Sequence, residues 1–346
     1  MTGRLEPVSW SEIKTYQRCP KQWEYKYDQR LVPKGKARPL YLGSWGHAAL
    51  ETHYENGDWK LGFNIYLDDY NKLFEEEREA LETKRGRRGR PLPDIITQIL
   101  KSYFWYHRDD GWKVVAVEQK FEVDTPLKIG GKIVPFDGII DLIIEDREGR
   151  LWVVDHKFVS SIPEANSFHG MDPQLMLYPW AAGKAWKMDI TGIIYNYVKS
   201  TPPTIPQVTK AGAISQRKIN TDYPTLYRFL KSNGYDPGDF RDILLPLQKR
   251  SPFLRRYRLP RTAQVTKEVL LDLLAVAKRR TESTRRTRTI TRECARQCSF
   301  HNLCRAELNG LDTSIMRKKY FTLKEEKVLG DYSETYFEDV YETEAD

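Results

Sequence analysis

The sequence predicts a mixed α/β fold: a hairpin-rich central sheet flanked by helices, with helical insertions and a cysteine-bearing C-terminal region. Three observations predict it. Apolar runs of strand length crowd between residues 112 and 198. Helix-period patterns lie on both sides of them. Turn signals, Gly130-Gly131 and Asp146 to Gly149, separate successive runs as hairpins require. The chain has 346 residues, 40% of them hydrophobic and 30% charged, an ordinary globular balance for one or two domains. The expectation is one elaborated domain over 1–320, with a helical insert at 58–110, an insert of unassigned role at 200–265, and an acidic tail at 321–346.

The elements follow in order. Ser9 and Glu12 have capping-box spacing, so a helix starts at Trp10 and is interrupted at Cys19-Pro20. Residues 31–40, with Pro33, Gly35 and Pro39, read as a loop. A second helix starts near Gly43 and carries His47 and Glu51. Residues 58–110 read as helical, broken by a basic loop from Lys84 to Arg90. Val114–Val117 and Phe121–Val123 read as two strands, and Ile139–Ile144 and Leu151–Val154 as two more. A helix over 173–187 and a strand over Ile193–Val198 complete the core. Residues 201–220 read as a surface loop. Asp222–Leu247 is predicted helical with a turn at Asn233-Gly234, and Thr266–Arg280 as an amphipathic helix.

Charge is unevenly spread. The net is +8, but the last 26 residues hold nine carboxylates and two lysines, so the preceding 320 carry +15. Residues 278–296 alone hold eight basic residues against two acidic ones. A body this basic points to a polyanionic partner, nucleic acid first, for which the acidic tail would compete mildly. No apolar run exceeds five residues, far short of the ~20 a membrane span needs, so no membrane partner is expected. The first twenty residues lack an apolar signal core, and four cysteines are too few for a disulfide scaffold. A cytoplasmic chain using its cysteines for metal or redox chemistry is expected.

Two carboxylates stand out. Asp141 sits inside Gly138-Ile-Ile-Asp141-Leu-Ile-Ile144, and Asp155 ends Leu151-Trp-Val-Val-Asp155, with Lys157 two residues on. A buried carboxylate costs several kcal/mol unless it is paired or bound to a metal. On adjacent strands the two would converge, and hard oxygen ligands suit Mg²⁺ or Mn²⁺. Asp155 and Lys157 share a strand face, so an ammonium would stand beside that metal. Taken alone, such a pair is better explained by a buried ion pair without chemistry.

Six segments in order change the weighing. Ser9 to Tyr25, Gly43-Ser-Trp-Gly-His47-Ala-Ala-Leu-Glu51, Phe136-Asp-Gly-Ile-Ile-Asp141, Val153-Val-Asp155-His-Lys157 and Gln174-Leu-Met-Leu-Tyr178 precede a cysteine group at 294, 298 and 304. Together they resemble the PD-(D/E)XK nuclease superfamily with its restriction-endonuclease-like core. The resemblance is to the RecB/AddB-like exonuclease branch, which includes CRISPR-associated and phage homologues. It implies that His47, Asp141 and Asp155 hold a metal, with the peptide carbonyl of His156 as a further ligand. Lys157 would position water and stabilise charge at the phosphate, and Gln174 and Tyr178 would contact DNA or support the site. The implied activity is Mg²⁺- or Mn²⁺-dependent exonuclease cleavage of single-stranded or frayed DNA ends. Its context would be recombination, repair or phage and CRISPR-type processing with partner proteins, in a bacterial or phage-infected host cell. A non-catalytic nucleic-acid-binding module that keeps the fold is the alternative.

Cys19, Cys294, Cys298 and Cys304 resemble the branch's split ligands for a [4Fe–4S] cluster, bringing 290–308 back onto Cys19. The family pattern is C-x₂-C-x₅-C, whereas three residues separate Cys294 from Cys298 here. Tetrahedral Zn²⁺ stays open as the other occupant, because such spacings suit it as well.

Overall fold

The computed structural model describes residues 3–35, 38–84, 87–164, 171–206 and 220–324. Residues 207–219 of the expected surface loop and the tail beyond 324 lie outside them. In chain order the elements are β1 (Val8–Ser9), α1 (Trp10–Arg18), α2 (Pro20–Trp23), a π-turn (Glu24–Asp28), β2 (Leu31–Pro33), α3 (Arg38–Asn56), α4 (Trp59–Asn71) and α5 (Glu75–Glu82). They continue with β3 (Thr83–Lys84), β4 (Arg87–Arg88), α6 (Leu92–Tyr106), β5 (Lys113–Ile129), β6 (Lys132–Glu145), β7 (Leu151–Val159), α7 (Pro173–Trp186) and β8 (Ile190–Lys199). The remainder are α8 (Tyr223–Ser232), α9 (Arg241–Lys249), β9 (Leu254–Pro260), α10 (Ala263–Glu282), α11 (Cys294–Gln297), α12 (His301–Leu308), α13 (Ser314–Tyr320) and β10 (Phe321–Leu323). The mixed central sheet runs β1-β6-β7-β8-β9, with β5 also on β6. Among the described residues no helix is long and apolar enough to cross a membrane.

The chain divides into two compact units, one of residues 36–119 and 140–266, the other of 1–35, 120–139 and 267–346. In the first, β7 pairs antiparallel with β6 and parallel with β8, and β9 closes antiparallel on β8. The parallel pair needs a crossover, and α7 supplies it. Alternate residues of β7 face opposite ways. Asp155 and Lys157 meet α7 through Gln174, while Phe158 packs against α3 at Gly46. Thus α3 covers one face of these strands and α7 the other. Trp45, Ala49 and Leu50 of α3 pack with Phe63 and Tyr70 of α4 and Ile96, Leu100 and Tyr103 of α6 in one apolar cluster.

In the second unit β1 runs parallel to β6, with Val8 opposite Phe136. The turn between β5 and β6 uses Gly130 and Gly131, both at positive φ (56° and 78°), a conformation open to glycine at little cost. Tyr25, Leu31, Phe300, Leu303 and Phe321 form a local core, and β10 pairs antiparallel with β2.

Several boundaries differ from the sequence reading, each for a physical reason. Within 31–40, expected as a loop, residues 31–33 form β2 and Arg38 begins α3, where Pro39 is tolerated because its missing N–H would be unbonded anyway. Only half of the capping box forms. Ser9 Oγ accepts from the Glu12 amide (3.2 Å), but the buried Glu12 carboxylate instead takes Trp23 Nε1 (2.8 Å) and pairs with Arg280. The two strands expected over 114–123 are one, β5, distorted at Glu118, whose φ is +47°. β9 was hidden because its inward residue is Arg256, so no apolar alternation marks it.

The β6–β7 hairpin is held by Asp146. Its Oδ1 accepts the amides of Glu148 (3.1 Å) and Arg150 (3.0 Å), and its Oδ2 takes Trp152 Nε1 (2.9 Å) and the Arg150 guanidinium (2.9 Å). Burial opposes ionisation, yet these donors outweigh it and hold the carboxyl well below the usual carboxylate range. A depressed folded pKa means stability present above the unfolded value near ~3.9 and lost as pH falls below it. Asp146→Asn is therefore expected to cost about 2–3 kcal/mol at pH 7. In urea denaturation its gap from wild type should narrow below about pH 4; a constant gap down to pH 2 would remove the charge from the account.

Candidate functional site

The site grows from the β6–β7 register. Leu142 pairs with Val154, so the next step along the hairpin sets Asp141 beside Asp155. The His156 amide donates to Asp141 Oδ2 (2.8 Å), and His47 of α3 brings Nδ1 to 3.5 Å from the same oxygen. Gly46, the residue before His47, lets α3 lie against the sheet, because a Cβ there would overlap the Phe158 ring. His47, Glu118 and Asp141 each offer a ligand atom, and these three atoms lie within 4.8 Å of one another.

Asp155, Lys157 and Gln174 close a ring on the α7 side. Lys157 Nζ donates to Asp155 Oδ1 (2.9 Å) and to Gln174 Oε1 (3.0 Å), and Gln174 Nε2 donates to Asp155 Oδ1 (2.8 Å). Asp155 Oδ2 lies 2.7 Å from Lys157 Nζ, so both oxygens of the carboxylate face the ammonium. Gln174 sits in the first turn of α7, whose N-cap Asp172 accepts its amide (3.0 Å). Tyr178 follows one helical turn later and is half-buried.

The electrostatics are those of a site short of positive charge. Burial, then Asp141 and Glu51, push the Glu118 carboxyl up to about 8. Burial likewise pushes Asp155 up to about 6, against the opposing pull of Lys157 and with the support of Asp141. Glu51, one turn after His47, is also pushed up, by burial first and then by Glu55. Lys157 is raised because Asp155 outweighs the burial that would neutralise it. Glu51, Glu118, Asp141 and Asp155 share this region with the Lys157 ammonium, so a hard divalent cation would relieve their repulsion.

His47, Asp141, Asp155, Lys157 and Gln174 are thus brought together as the sequence suggested. The imidazole of His156 leaves the Asp155 and Lys157 face: its Nδ1 meets Asn196 and its ring lies edge-on to that of His47 at 6.0 Å, while its backbone amide serves Asp141. Glu118 was missed. Its signal was present: it ends Val114-Val-Ala-Val117 as Asp155 ends its own apolar run. A non-glycine at positive φ costs of order 1 kcal/mol or more and concentrates at functional positions.

In the other unit all four cysteines are free and half-buried. Cys19 lies between α1 and α2, Cys294 opens α11, Cys298 follows it and Cys304 is inside α12. The amides of Thr289 and Thr291 point at Cys19 Sγ (3.5 Å) and Cys294 Sγ (3.4 Å). Cys298 and Cys304 pack beside Tyr25 and Phe300, and burial pushes the Cys298 thiol up.

The family model of the PD-(D/E)XK nuclease superfamily matches residues 7–305. The chain belongs to the PD-(D/E)XK nuclease superfamily. Its mixed sheet flanked by helices is the architecture that membership calls for. Among solved structures it is similar to the one titled SSO0001 (12% identity, TM-score 0.36, 88% of each chain). It is also similar to a presumed exonuclease from Eubacterium rectale (13% identity, TM-score 0.45, 84% of this chain and 87% of that one). An adenylosuccinate synthetase of Fusobacterium nucleatum is 32% identical over 199 residues, 53% of this chain and 43% of that protein. The chain therefore aligns with less than half the length of that curated relative.

Proposed function

We propose that this chain is a divalent-metal-dependent deoxyribonuclease, working as an exonuclease on single-stranded or frayed DNA ends in recombination, repair or phage and CRISPR-type processing. The observation that carries the reading is the Asp155–Lys157–Gln174 ring beside the His47–Glu118–Asp141 group. His47, Glu118, Asp141 and Asp155 would hold Mg²⁺ or Mn²⁺, with the His156 carbonyl as a further ligand. Bound there, the cation would lower the pKa of water and stabilise the developing oxyanion. Lys157, held by Asp155 and Gln174, keeps its proton and offers it as a hydrogen bond to a phosphate oxygen or the attacking water. Asp155 fixes the ammonium from below, and Gln174 fixes both, so the charge is placed before substrate arrives. Tyr178 would flank the strand.

The test is incubation of the purified chain with end-labelled single- and double-stranded DNA, with Mg²⁺, Mn²⁺ or EDTA. Cation-dependent release of short products from an end supports the reading. Binding without cleavage favours a non-catalytic module that keeps the fold. DNA affinity should fall with salt at a slope of about −0.7 per phosphate contacted, given the +15 body. A flat response between 50 and 200 mM salt would contradict phosphate contacts.

For the cysteines we favour a [4Fe–4S] cluster over Zn²⁺, supported by four free cysteines matching its four ligands and by the two amides aimed at Cys19 and Cys294. Anaerobically purified protein should be brown, with about four irons and four sulfides per chain. Cys304→Ser should give a colourless, less stable protein. One zinc per chain in a colourless wild type would replace this assignment and leave the nuclease reading intact.

A further inference from the structure

Behind Asp155 and Lys157, on the opposite face of β7, lies a row of polar side chains that the proposed chemistry does not use. The register places His156 of β7 beside Asn196 of β8, and Asn196 beside Arg256 of β9. The three side chains are linked in that order. Arg256 Nε donates to Asn196 Oδ1 (3.2 Å), and Asn196 Nδ2 lies 2.7 Å from His156 Nδ1 and donates to Tyr103 Oη (2.9 Å). Arg256 is anchored in turn by Asp110, whose two oxygens accept Nη1 (2.8 Å) and Nη2 (2.9 Å). Trp112 covers the guanidinium at 3.8 Å, and Tyr54 stacks on the His156 ring at 5.8 Å with 10° between planes.

Each link restricts the next. A guanidinium only donates, so it fixes the amide of Asn196 with its oxygen toward Arg256. The amide nitrogen is then the atom facing His156, and it can only donate. His156 Nδ1 must therefore accept, which leaves the ring proton on Nε2. The peptide of this same residue donates to Asp141 Oδ2 at 2.8 Å. The row thus ends on the backbone group that holds the central carboxylate of the site.

We propose that Asn196, with Arg256 behind it, is a positioning residue for the metal site: it locks His156 as the Nε2–H tautomer and thereby holds the 156 amide against Asp141. The inference rests on the nuclease reading only for what the site does, since tautomer and cation affinity are measurable without cleavage. Partners one step removed from metal ligands typically change affinity 10–100-fold when altered.

The test combines ¹⁵N spectra of the histidine rings with Mn²⁺ titration, free ion being counted by EPR. Wild type should show His156 as the Nε2–H tautomer; an Nδ1–H tautomer overturns the proposal, even if no variant folds. Asn196→Asp, which can only accept, should move the proton to Nδ1 and weaken Mn²⁺ binding 10–100-fold. His156→Phe, which keeps the peptide but loses the lock, should weaken it to a similar degree. Leu226→Ala, destabilised in the α8–α9 apolar cluster of the same unit, should bind Mn²⁺ as wild type does. Equal losses in all three variants would mean general destabilisation and overturn the proposal. A wild type that binds no Mn²⁺ at millimolar concentration overturns it together with the nuclease reading. One that binds Mn²⁺ yet cuts nothing removes the nuclease reading alone.

Discussion

Asp141→Ala, Asp155→Ala and Lys157→Ala are each expected to reduce DNA cleavage at least 10²–10³-fold while leaving the fold and most DNA affinity in place. Losing one preorganised electrostatic group typically costs that much, and losing a metal ligand more. The three should differ in how they fail. Asp141 sits between the His47–Glu118 pair and the Asp155 ring, so its loss should weaken cation binding most. Lys157→Ala removes the ammonium but leaves the carboxylates, so cation binding should survive and the rate should not. Asp155→Ala should do both, because it frees Lys157 and Gln174 from their shared anchor. Near wild-type cleavage by Asp155→Ala, at saturating Mg²⁺, would sink the assignment. Folded fraction is checked by circular dichroism, so that lost activity is not lost structure.

The second large effect is on stability. Arg256→Met is expected to cost about 3–5 kcal/mol in urea denaturation, because removing one partner leaves the others buried and uncompensated. Asp110 would keep only His107 Nδ1 (3.0 Å) and a long contact from Tyr54 (3.4 Å), and Asn196 Oδ1 would lose its donor. Asp110 is held ionised below its usual range although burial pushes the other way, with His107 and Arg256 supplying the difference. Asp110→Asn combined with Arg256→Met should cost clearly less than the sum of the single changes, since the two residues share one interaction. Additive losses would show that the pair does not act together. A single-site cost under 1 kcal/mol would show the network to be solvated.

What could be read from the sequence was what is local. Asp155 and Lys157 lie two residues apart on one strand, and Gln174 and Tyr178 four apart on one helix, so spacing alone places each pair on a shared face. The turn at Gly130-Gly131 is equally local. What escaped depends on which strand lies beside which. Glu118 ends an apolar run, a local signal, but its own positive φ and its place beside His47 and Asp141 depend on which elements lie next to β5. Arg256 defeats pattern reading outright: a strand whose inward residue is a cation looks like a basic loop until Asp110, Asn196 and Tyr103 are seen around it. Asn196, inside an apolar run, carried the signal of a buried polar group but not the identity of its partners.

The missing side chain at Gly46 also limits which ions the proposed site can accept. With no methyl between α3 and Phe158, the helix rests directly on an aromatic ring, and His47 rides on that contact. The gap between His47 and Asp141 is therefore gauged by helix against strand, two rigid parts, and not by a floppy arm. Mg²⁺ binds oxygen at about 2.0–2.1 Å and Ca²⁺ at about 2.3–2.6 Å, a difference a flexible ligand would absorb and a packed helix resists. Discrimination between ions of one charge and two radii would then be decided at a position that never touches the ion. An alanine there would act as a shim, widening the gauge and shifting preference toward the larger ion before it abolished binding.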